Sequence, residues 1–280
     1  MLLLALDTST RQASIALCSE DELVGEYSWQ VGNAGNNHSV ELLDRVRRLM
    51  ADCGKAMSEL DGIAVAKGPG SFNGLRVALA TAKALAFALK IPLVGMSTLD
   101  SIATQERQWR GPVCAVLEAG RSELYAACYV FDEVQNDDGI ITYQMLQLSD
   151  YLLDTPQRLA AYLQAQANDW LGVPGERQLP PFLFCGELSE TSRQTLHAQM
   201  RETGLFVTGI AATRHASTLA VLALQRLHEG KGDDPFLLEP LYLRRPSITS
   251  STRKQPLLGG LSDRPGGKNK TEREEGALRH

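Results

Sequence analysis

Two distant segments of the chain follow one plan, and this shared pattern constrains the fold more than any other feature. LLLALDTSTRQASIALCSE, at residues 2–20, consists of an apolar run, an acidic residue, a short polar turn and a second apolar run. VCAVLEAGRSELYAACYVF, at residues 113–131, repeats this order and places Glu118 where the first segment has Asp7. Apolar runs joined by a polar turn are typical of β-hairpins. The repeat therefore predicts two related halves, each opening with a hairpin that carries an acid at its turn.

The segments that follow the first hairpin favour an α/β fold. A third short run at 23–29 is typical of a strand, and a helical pattern in 39–53 precedes an apolar strand at 62–66, a second helix at 75–89 and a strand from Pro92. We therefore predict a two-lobed α/β fold of the actin, Hsp70 and sugar-kinase (ASKHA) group, with duplicated ribonuclease-H-like halves. In that group the two hairpins face each other across a cleft and hold nucleotide phosphates.

The expected domains follow from this plan. Residues 1–105 form the first half and residues 106–250 the second, and an apolar helix near 214–230 is expected to pack back on the first half. Residues 251–280 are rich in glycine and mixed charges and are poor in apolar side chains, so they are predicted to be a disordered tail.

Composition excludes several classes of protein. The formal net charge of −5 provides no basic field for strong, sequence-independent nucleic-acid binding by the chain alone. The five cysteines are scattered and form no C-x-x-C pair, which favours reduced thiols in a cytoplasmic protein. The N-terminal apolar run ends at Asp7 and is too short for a signal peptide or a membrane helix. We expect a cytoplasmic protein with no membrane contact.

The glycine-rich stretch GPGSFNG, at residues 68–74, lies between an apolar strand and a long alanine-rich helix. Glycines at a strand-to-helix turn let backbone N–H groups approach an anion at the helix N-terminus. No Lys-Ser/Thr pair follows, so the stretch is not a Walker A loop, and its spacing is not the dinucleotide fingerprint either. A ligand-free tight turn remains an equal alternative. The candidate phosphate-contacting residues are Asp7, Thr8, Ser9, Gly68, Pro69, Gly70, Ser71 and Gly74.

Six segments of the chain resemble the TsaB (YeaZ) family. They are DTST at 7–10, HSVELL at 38–43, GIAVAKGPGSFNGLRVALATAKALA at 62–86, IPLVGMSTLDSIA at 91–103, EAGRSELYAACY at 118–129 and PLYLRRP at 240–246. The resemblance is strong over residues 1–130 and loose from 131 to 239. It departs from the family pattern at Asn73, usually Thr, and at residues 118–121, where Asp-Ala-Arg is typical.

The resemblance implies a function and a set of partners. The family is the non-catalytic dimerisation subunit of the bacterial machinery that makes threonylcarbamoyladenosine beside the anticodon of tRNA. Its implied partners are the catalytic subunit TsaD, the ATPase subunit TsaE and, through the assembled complex, tRNA, while a homodimer is expected when the chain is alone. No cofactor is expected on this chain, and ATP, ADP and a metal are expected on partner subunits or at shared interfaces.

The resemblance also implies a partner-binding surface made by the two helices of the first half. Alanines at alternate positions from 78 to 88 keep the second helix narrow, so another helix can approach it closely. One face of each helix is expected to cover its own sheet. The predicted interface residues are Leu42, Leu43, Val46, Leu49, Leu75, Arg76, Leu79, Ala82 and Lys83.

No catalytic or metal-ligating residue is predicted. The catalytic subunit TsaD holds a metal through two histidines four residues apart, and the corresponding positions here are Thr98 and Ile102. The five histidines of the chain are scattered, and no serine lies in a G-x-S-x-G elbow. Asp7 could orient a metal-bound water, as in the actin-like ATPases. An actin-like kinase or ATPase is therefore the alternative to a scaffold, and a metallopeptidase is the weakest possibility.

Overall fold

The computed structural model describes residues 1–20, 22–31, 38–135, 139, 141–171 and 180–244. Residues Met1–Arg245 form one compact unit. The prediction of a disordered tail at 251–280 lies outside the described residues.

The first half of the chain forms a five-stranded sheet. Its strands are β1 (Leu3–Asp7), β2 (Gln12–Cys18), β3 (Leu23–Gln30), β4 (Gly62–Gly68) and β5 (Leu93–Ser97), in the order β3-β2-β1-β4-β5. The hairpin pairs β1 with β2 in antiparallel fashion, whereas β4 and β5 add on the other side of β1 as parallel strands. Parallel addition requires crossover connections, and helices supply them.

The second half repeats this arrangement. The strands are β6 (Val113–Gly120), β7 (Glu123–Gln135), β8 (Ile141–Gln147), β9 (Leu152–Asp154), β10 (Phe182–Glu187) and β11 (Gly204–Phe206). The order β11-β10-β6-β7-β8 matches the first sheet strand for strand, with β6 and β7 in place of β1 and β2, and β9 pairs with β7 as an addition. The predicted duplicated, two-lobed α/β fold is confirmed.

In the described part of the chain, six α-helices cover the two sheets. They are α1 (His38–Asp52), α2 (Phe72–Leu89), α3 (Thr98–Gln105), α4 (Pro156–Leu171), α5 (Glu190–Met200) and α6 (Ala216–His228). On the first sheet, α1 and α2 pack on one face and α6 on the other. On the second sheet, α4 and α5 pack on one face and α3 on the other. Since α3 also contacts α6, these two helices lie between the sheets.

Side-chain alternation along the strands produces the two cores of the first half. Leu4 and Leu6 point towards α1 and α2, whereas Leu3 and Ala5 point towards α6. Among the described helices, α2 is long and apolar enough to cross a membrane, and its buried residues face the first sheet.

The structure corrects the predicted partner surface. Six of its residues are at most 3% exposed: Leu42, Val46, Leu49, Leu75, Leu79 and Ala82. All of them except Leu75 belong to the core between the helices and the first sheet. The prediction that these six side chains contact a partner is wrong, because they are already covered within the chain itself. Of the remaining predicted residues, Leu43 and Arg76 are exposed and Lys83 is half-buried.

Placing a carboxylate in this core should unfold the chain. Leu79→Glu and Val46→Glu should each lower the free energy of unfolding by at least about 3 kcal/mol, because an unpaired charge would be buried. Urea titration followed by circular dichroism measures the effect. Ala84→Glu, at an exposed position of α2, is the matched control and should leave the midpoint nearly unchanged at protein concentrations low enough to keep the chain monomeric. Equal midpoints for Leu79→Glu and Ala84→Glu would contradict the assignment of Leu79 to the core.

Candidate functional site

The glycine-rich loop between β4 and α2 lies directly on the turn of the first hairpin. The backbone N–H of Ser71 donates to the carbonyl of Ser9 at 2.5 Å. The hydroxyl of Thr8 donates to the carbonyl of Gly74 at 2.7 Å. Ser71 also caps α2, because its hydroxyl accepts the N–H of Gly74 at 3.4 Å. The hairpin turn and the start of α2 are therefore joined through their backbones.

Close backbone contact explains the glycines of this loop. A Cβ on Gly74 would lie 1.9 Å from the carbonyl oxygen of Thr8, and one on Gly70 would lie 2.2 Å from that of Ser9. Gly68, the last residue of β4, has a φ of +111°, which residues with side chains rarely adopt, and forms a cis bond with Pro69. The groups that approach Gly70 and Gly74 closely are carbonyls of the chain itself, and the N–H of Ser71 is used by one of them. This arrangement suits a joint between two elements.

Asp7, at the end of β1, is buried and fully engaged. Its Oδ1 accepts hydrogen bonds from the N–H and the hydroxyl of Ser9, at 2.9 and 2.6 Å. Its Oδ2 accepts Nε–H of Arg214 at 2.7 Å, and the side chains of Asp7 and Arg214 are each only 1% exposed. Both carboxylate oxygens therefore have partners within the protein, as a buried charge requires.

Arg214 also reaches the second sheet. Its Nη1 donates to Glu187 Oε1, at the end of β10, at 2.8 Å. Its Nη2 donates to the hydroxyl of Thr10 at 3.1 Å and to the carbonyl of Gln12 at 2.6 Å. The hydroxyl of Thr10 donates to the same oxygen of Glu187 at 2.8 Å. We refer to Asp7, Thr10, Gln12, Glu187 and Arg214 as the Arg214 cluster.

Sequence reasoning missed Arg214 and Glu187. Asp7 was identified, but its partner lies 207 residues away in the chain. The available signal was the position of Arg214 directly before the apolar helix α6, since a cation beside an apolar segment needs a counter-charge when it is buried. Nothing in the spacing of the sequence says which carboxylate supplies that charge.

The predicted equivalence of the two hairpin acids holds for the sequence pattern but is wrong for the side chains. Asp7 has the strand parity of Leu3 and Ala5, on the face of the first sheet that α6 covers, whereas Glu118 has the parity of Cys114 and Val116, on the face of the second sheet that α4 and α5 cover. Asp7 is enclosed, whereas Glu118 near the end of β6 is exposed, and its Oε1 accepts the N–H of Ser189, the N-cap of α5, at 2.9 Å. A cleft of about 620 Å³ opens between the two hairpin turns. Its lining includes hydroxyl groups, two carboxylates and two aromatic rings: Ser9, Thr10, Ser71, Phe72, Glu118, Tyr125, Glu187 and Ser189.

The start of α3, where the related catalytic subunit was expected to have its histidines, is a packed polar cluster. Asp100 Oδ1 accepts the hydroxyls of Tyr129 and Tyr151 at 2.8 and 2.9 Å. Burial, followed by the charge of Asp100, raises the pKa of both phenols. Thr98 and Ile102 are buried. Among the described residues, no group of three or more His, Cys, Asp or Glu side chains could hold a metal ion.

The segment 240–244 connects α2 to the second hairpin. Leu241 donates its N–H to the carbonyl of Lys67 at 2.7 Å, and the ring of Tyr242 lies 5.3 Å from that of Phe72, centroid to centroid. Arg244 donates to the carbonyl of Ala119 at 3.1 Å and pairs with Glu123. The first turn of α2 is thus held by the hairpin turn on one side and by this segment on another.

Replacing Gly74 should show whether the backbone joint determines stability. Alanine normally stabilises a helix by about 1 kcal/mol relative to glycine, but here the added methyl meets the carbonyl of Thr8. We expect Gly74→Ala to lower the free energy of unfolding by roughly 2 kcal/mol, measured by urea titration. Gly232→Ala is the control, because its Cβ would meet no atom closer than 3.7 Å. A Gly74→Ala protein more stable than wild type would contradict the close contact between Gly74 and the carbonyl of Thr8.

Comparisons with known proteins agree with one another. A family model described as "TsaD: tRNA N6-adenosine threonylcarbamoyltransferase" matches residues 32–251. The TsaB protein of Bacillus subtilis, named as a tRNA threonylcarbamoyladenosine biosynthesis protein, is 31% identical over 87% of this chain and 94% of its own length. The Escherichia coli TsaB is 26% identical over 87% and 95%. The solved structure of YeaZ from Pseudomonas aeruginosa is 27% identical, with a TM-score of 0.63 over 86% of this chain and 99% of that one.

Proposed function

The chain belongs to the TsaB (YeaZ) family, and from this premise we propose that it takes part in tRNA threonylcarbamoyladenosine biosynthesis as a non-catalytic subunit. In this proposal it pairs with the catalytic subunit TsaD and supports threonylcarbamoyl transfer to the adenosine beside the anticodon. TsaE and tRNA join through the assembled complex, and ATP, ADP and a metal bind on partner subunits or at shared interfaces.

The observation that carries the non-catalytic role is the state of Asp7. A carboxylate that orients a metal-bound water must have an oxygen directed to the reaction site. Here Oδ1 is bound by Ser9 and Oδ2 by Arg214. The guanidinium of Arg214 also binds Oε1 of Glu187. Both oxygens of Asp7 therefore have structural partners in place of a reacting group, and Glu187 shares the same cation.

The partner surface that the structure favours is the outer face of α1 and α2, which points away from the first sheet. Its exposed side chains include Leu43, Asp44, Arg47 and Arg48 on α1, and Phe72, Arg76, Ala80, Ala84 and Phe87 on α2. The small side chains of Ala80 and Ala84 leave the middle of α2 open to close approach by another helix. Phe72, Arg76 and Phe87 belong to the residue types that anchor interfaces. A homodimer through this face is expected when the partner is absent.

A charge on this outer face should separate binding from folding. We expect Ala80→Glu to weaken binding to TsaD by about 100-fold, or roughly 3 kcal/mol, because a carboxylate would be buried in the contact. At protein concentrations low enough to keep the chain monomeric, the urea midpoint should change little, since Ala80 is exposed in the free chain. Binding is measured by calorimetry or surface plasmon resonance.

Val221→Glu is the control for this experiment. Val221 is 50% exposed on α6, which covers the opposite face of the first sheet. This variant should bind TsaD with wild-type affinity. Equal affinities for Ala80→Glu and wild type would exclude the outer face as the partner surface.

The alternative of an actin-like ATPase or kinase is favoured by one observation, the cleft between the two hairpin turns. Calorimetric titration of the chain alone with ATP and magnesium distinguishes a scaffold from an ATPase or kinase. If the chain is a scaffold, the purified protein should not hydrolyse ATP. ATP hydrolysis above background that is lost in a folded Asp7→Asn variant would favour the enzyme.

A further inference from the structure

The Arg214 cluster connects the two sheets at the base of the cleft between the hairpin turns. Asp7, Thr10 and Gln12 belong to the first hairpin, whereas Glu187 ends β10 of the second sheet. Arg214 lies between them and donates to all four residues through Nε, Nη1 and Nη2. The buried guanidinium of Arg214 therefore bridges Asp7 of the first sheet and Glu187 of the second.

The geometry of arginine suits this task. The guanidinium is planar and permanently charged, and its donors point in fixed directions, so it constrains the angle between its partners as well as their separation. Thr10 adds a direct hydrogen bond from the first hairpin to Glu187. The side chain of Arg214 is 1% exposed, so water does not compete for these bonds.

The same cluster continues to the start of α2. Asp7 holds the N–H and hydroxyl of Ser9, and the carbonyl of Ser9 accepts the N–H of Ser71, the N-cap of α2. A movement of the first hairpin relative to Glu187 would therefore also move the cap of α2.

We propose that Arg214 is a built-in cation that holds the two sheets of this chain at a fixed angle across the cleft. Arg214 fixes this angle between the sheets without a bound nucleotide or metal ion. Arg214 is a positioning residue in this role. The inference concerns the chain alone and stands whether or not the proposed partner binds.

The test measures the distance between the outer helices of the two halves. Spin labels are placed at Ala51→Cys on α1 and Ala198→Cys on α5, both exposed positions. The half-buried Cys53 is replaced by serine, and the other four cysteines are buried. At protein concentrations low enough to keep the chain monomeric, we expect a single narrow distance distribution for the otherwise wild-type chain, unchanged by ATP and magnesium. A change in the mean distance on adding ATP and magnesium would overturn the proposal.

Arg214→Met should broaden this distribution or shift its mean, because the methionine keeps much of the side-chain volume but none of the bonds to Glu187 or Asp7. Arg226→Met is the matched control. Arg226, on α6, pairs with Asp233 at 3.0 Å and binds the carbonyl of Gly95 on β5, so its contacts stay on the side of the first sheet. Its removal should leave the distribution narrow.

Glu187→Ala tests the same role of the Arg214 cluster if the Arg214→Met protein does not fold. Glu187 is 31% exposed, and its removal leaves Arg214 bound to Asp7, Thr10 and Gln12. We expect Glu187→Ala to broaden the distribution while near-ultraviolet circular dichroism remains native. A folded Glu187→Ala protein with the wild-type distribution would overturn the proposal.

Discussion

The buried pair of Asp7 and Arg214 is the interaction on which the arrangement of this molecule depends. Removing one partner of such a pair costs about 3–5 kcal/mol, because the other charge is left without compensation. This requirement brings the end of β1, the segment before α6 and the end of β10 to one point. Three segments that are far apart in the sequence thereby acquire a fixed mutual position. The turn of the first hairpin is held at the same point through Ser9.

The glycine-rich loop transfers that fixed position to α2. Gly70 and Gly74 permit the carbonyls of Ser9 and Thr8 to approach at distances that no side chain would allow. The first turn of α2 therefore has a defined place relative to the hairpin, and Tyr242 packs against Phe72 from the other side. A helix whose first turn is constrained in this way presents its outer face with little loss of entropy on binding, which favours association.

Local patterns sufficed to predict the two hairpins, the order of elements along the first half and its first two helices, because these depend on alternation and on helical periodicity. They failed where tertiary contacts decide. Residues 151–170 have helical spacing throughout, but Leu152–Asp154 pairs with β7 and α4 begins at Pro156. The apolar stripe of α1 and α2 was correctly located, yet periodicity cannot say whether a sheet or a partner covers it. For Leu42 and Leu79, the covering surface is the chain's own sheet. Arg214 escaped detection for the same reason, because its partners are defined only by the fold.

The two halves also show how a duplicated fold can differ in its chemistry while its topology is kept. The strand orders of the two sheets correspond, but Asp7 lies on the α6 face of β1 and Glu118 on the α4 and α5 face of β6. Asp7 is enclosed by Ser9 and Arg214, whereas Glu118 is exposed and bonds the N-cap of α5. The cleft retains the shape of its fold group. Within it, however, Asp7 is neutralised by Arg214, and Glu118 bonds the N-cap of α5. These carboxylates are used to position segments of the chain.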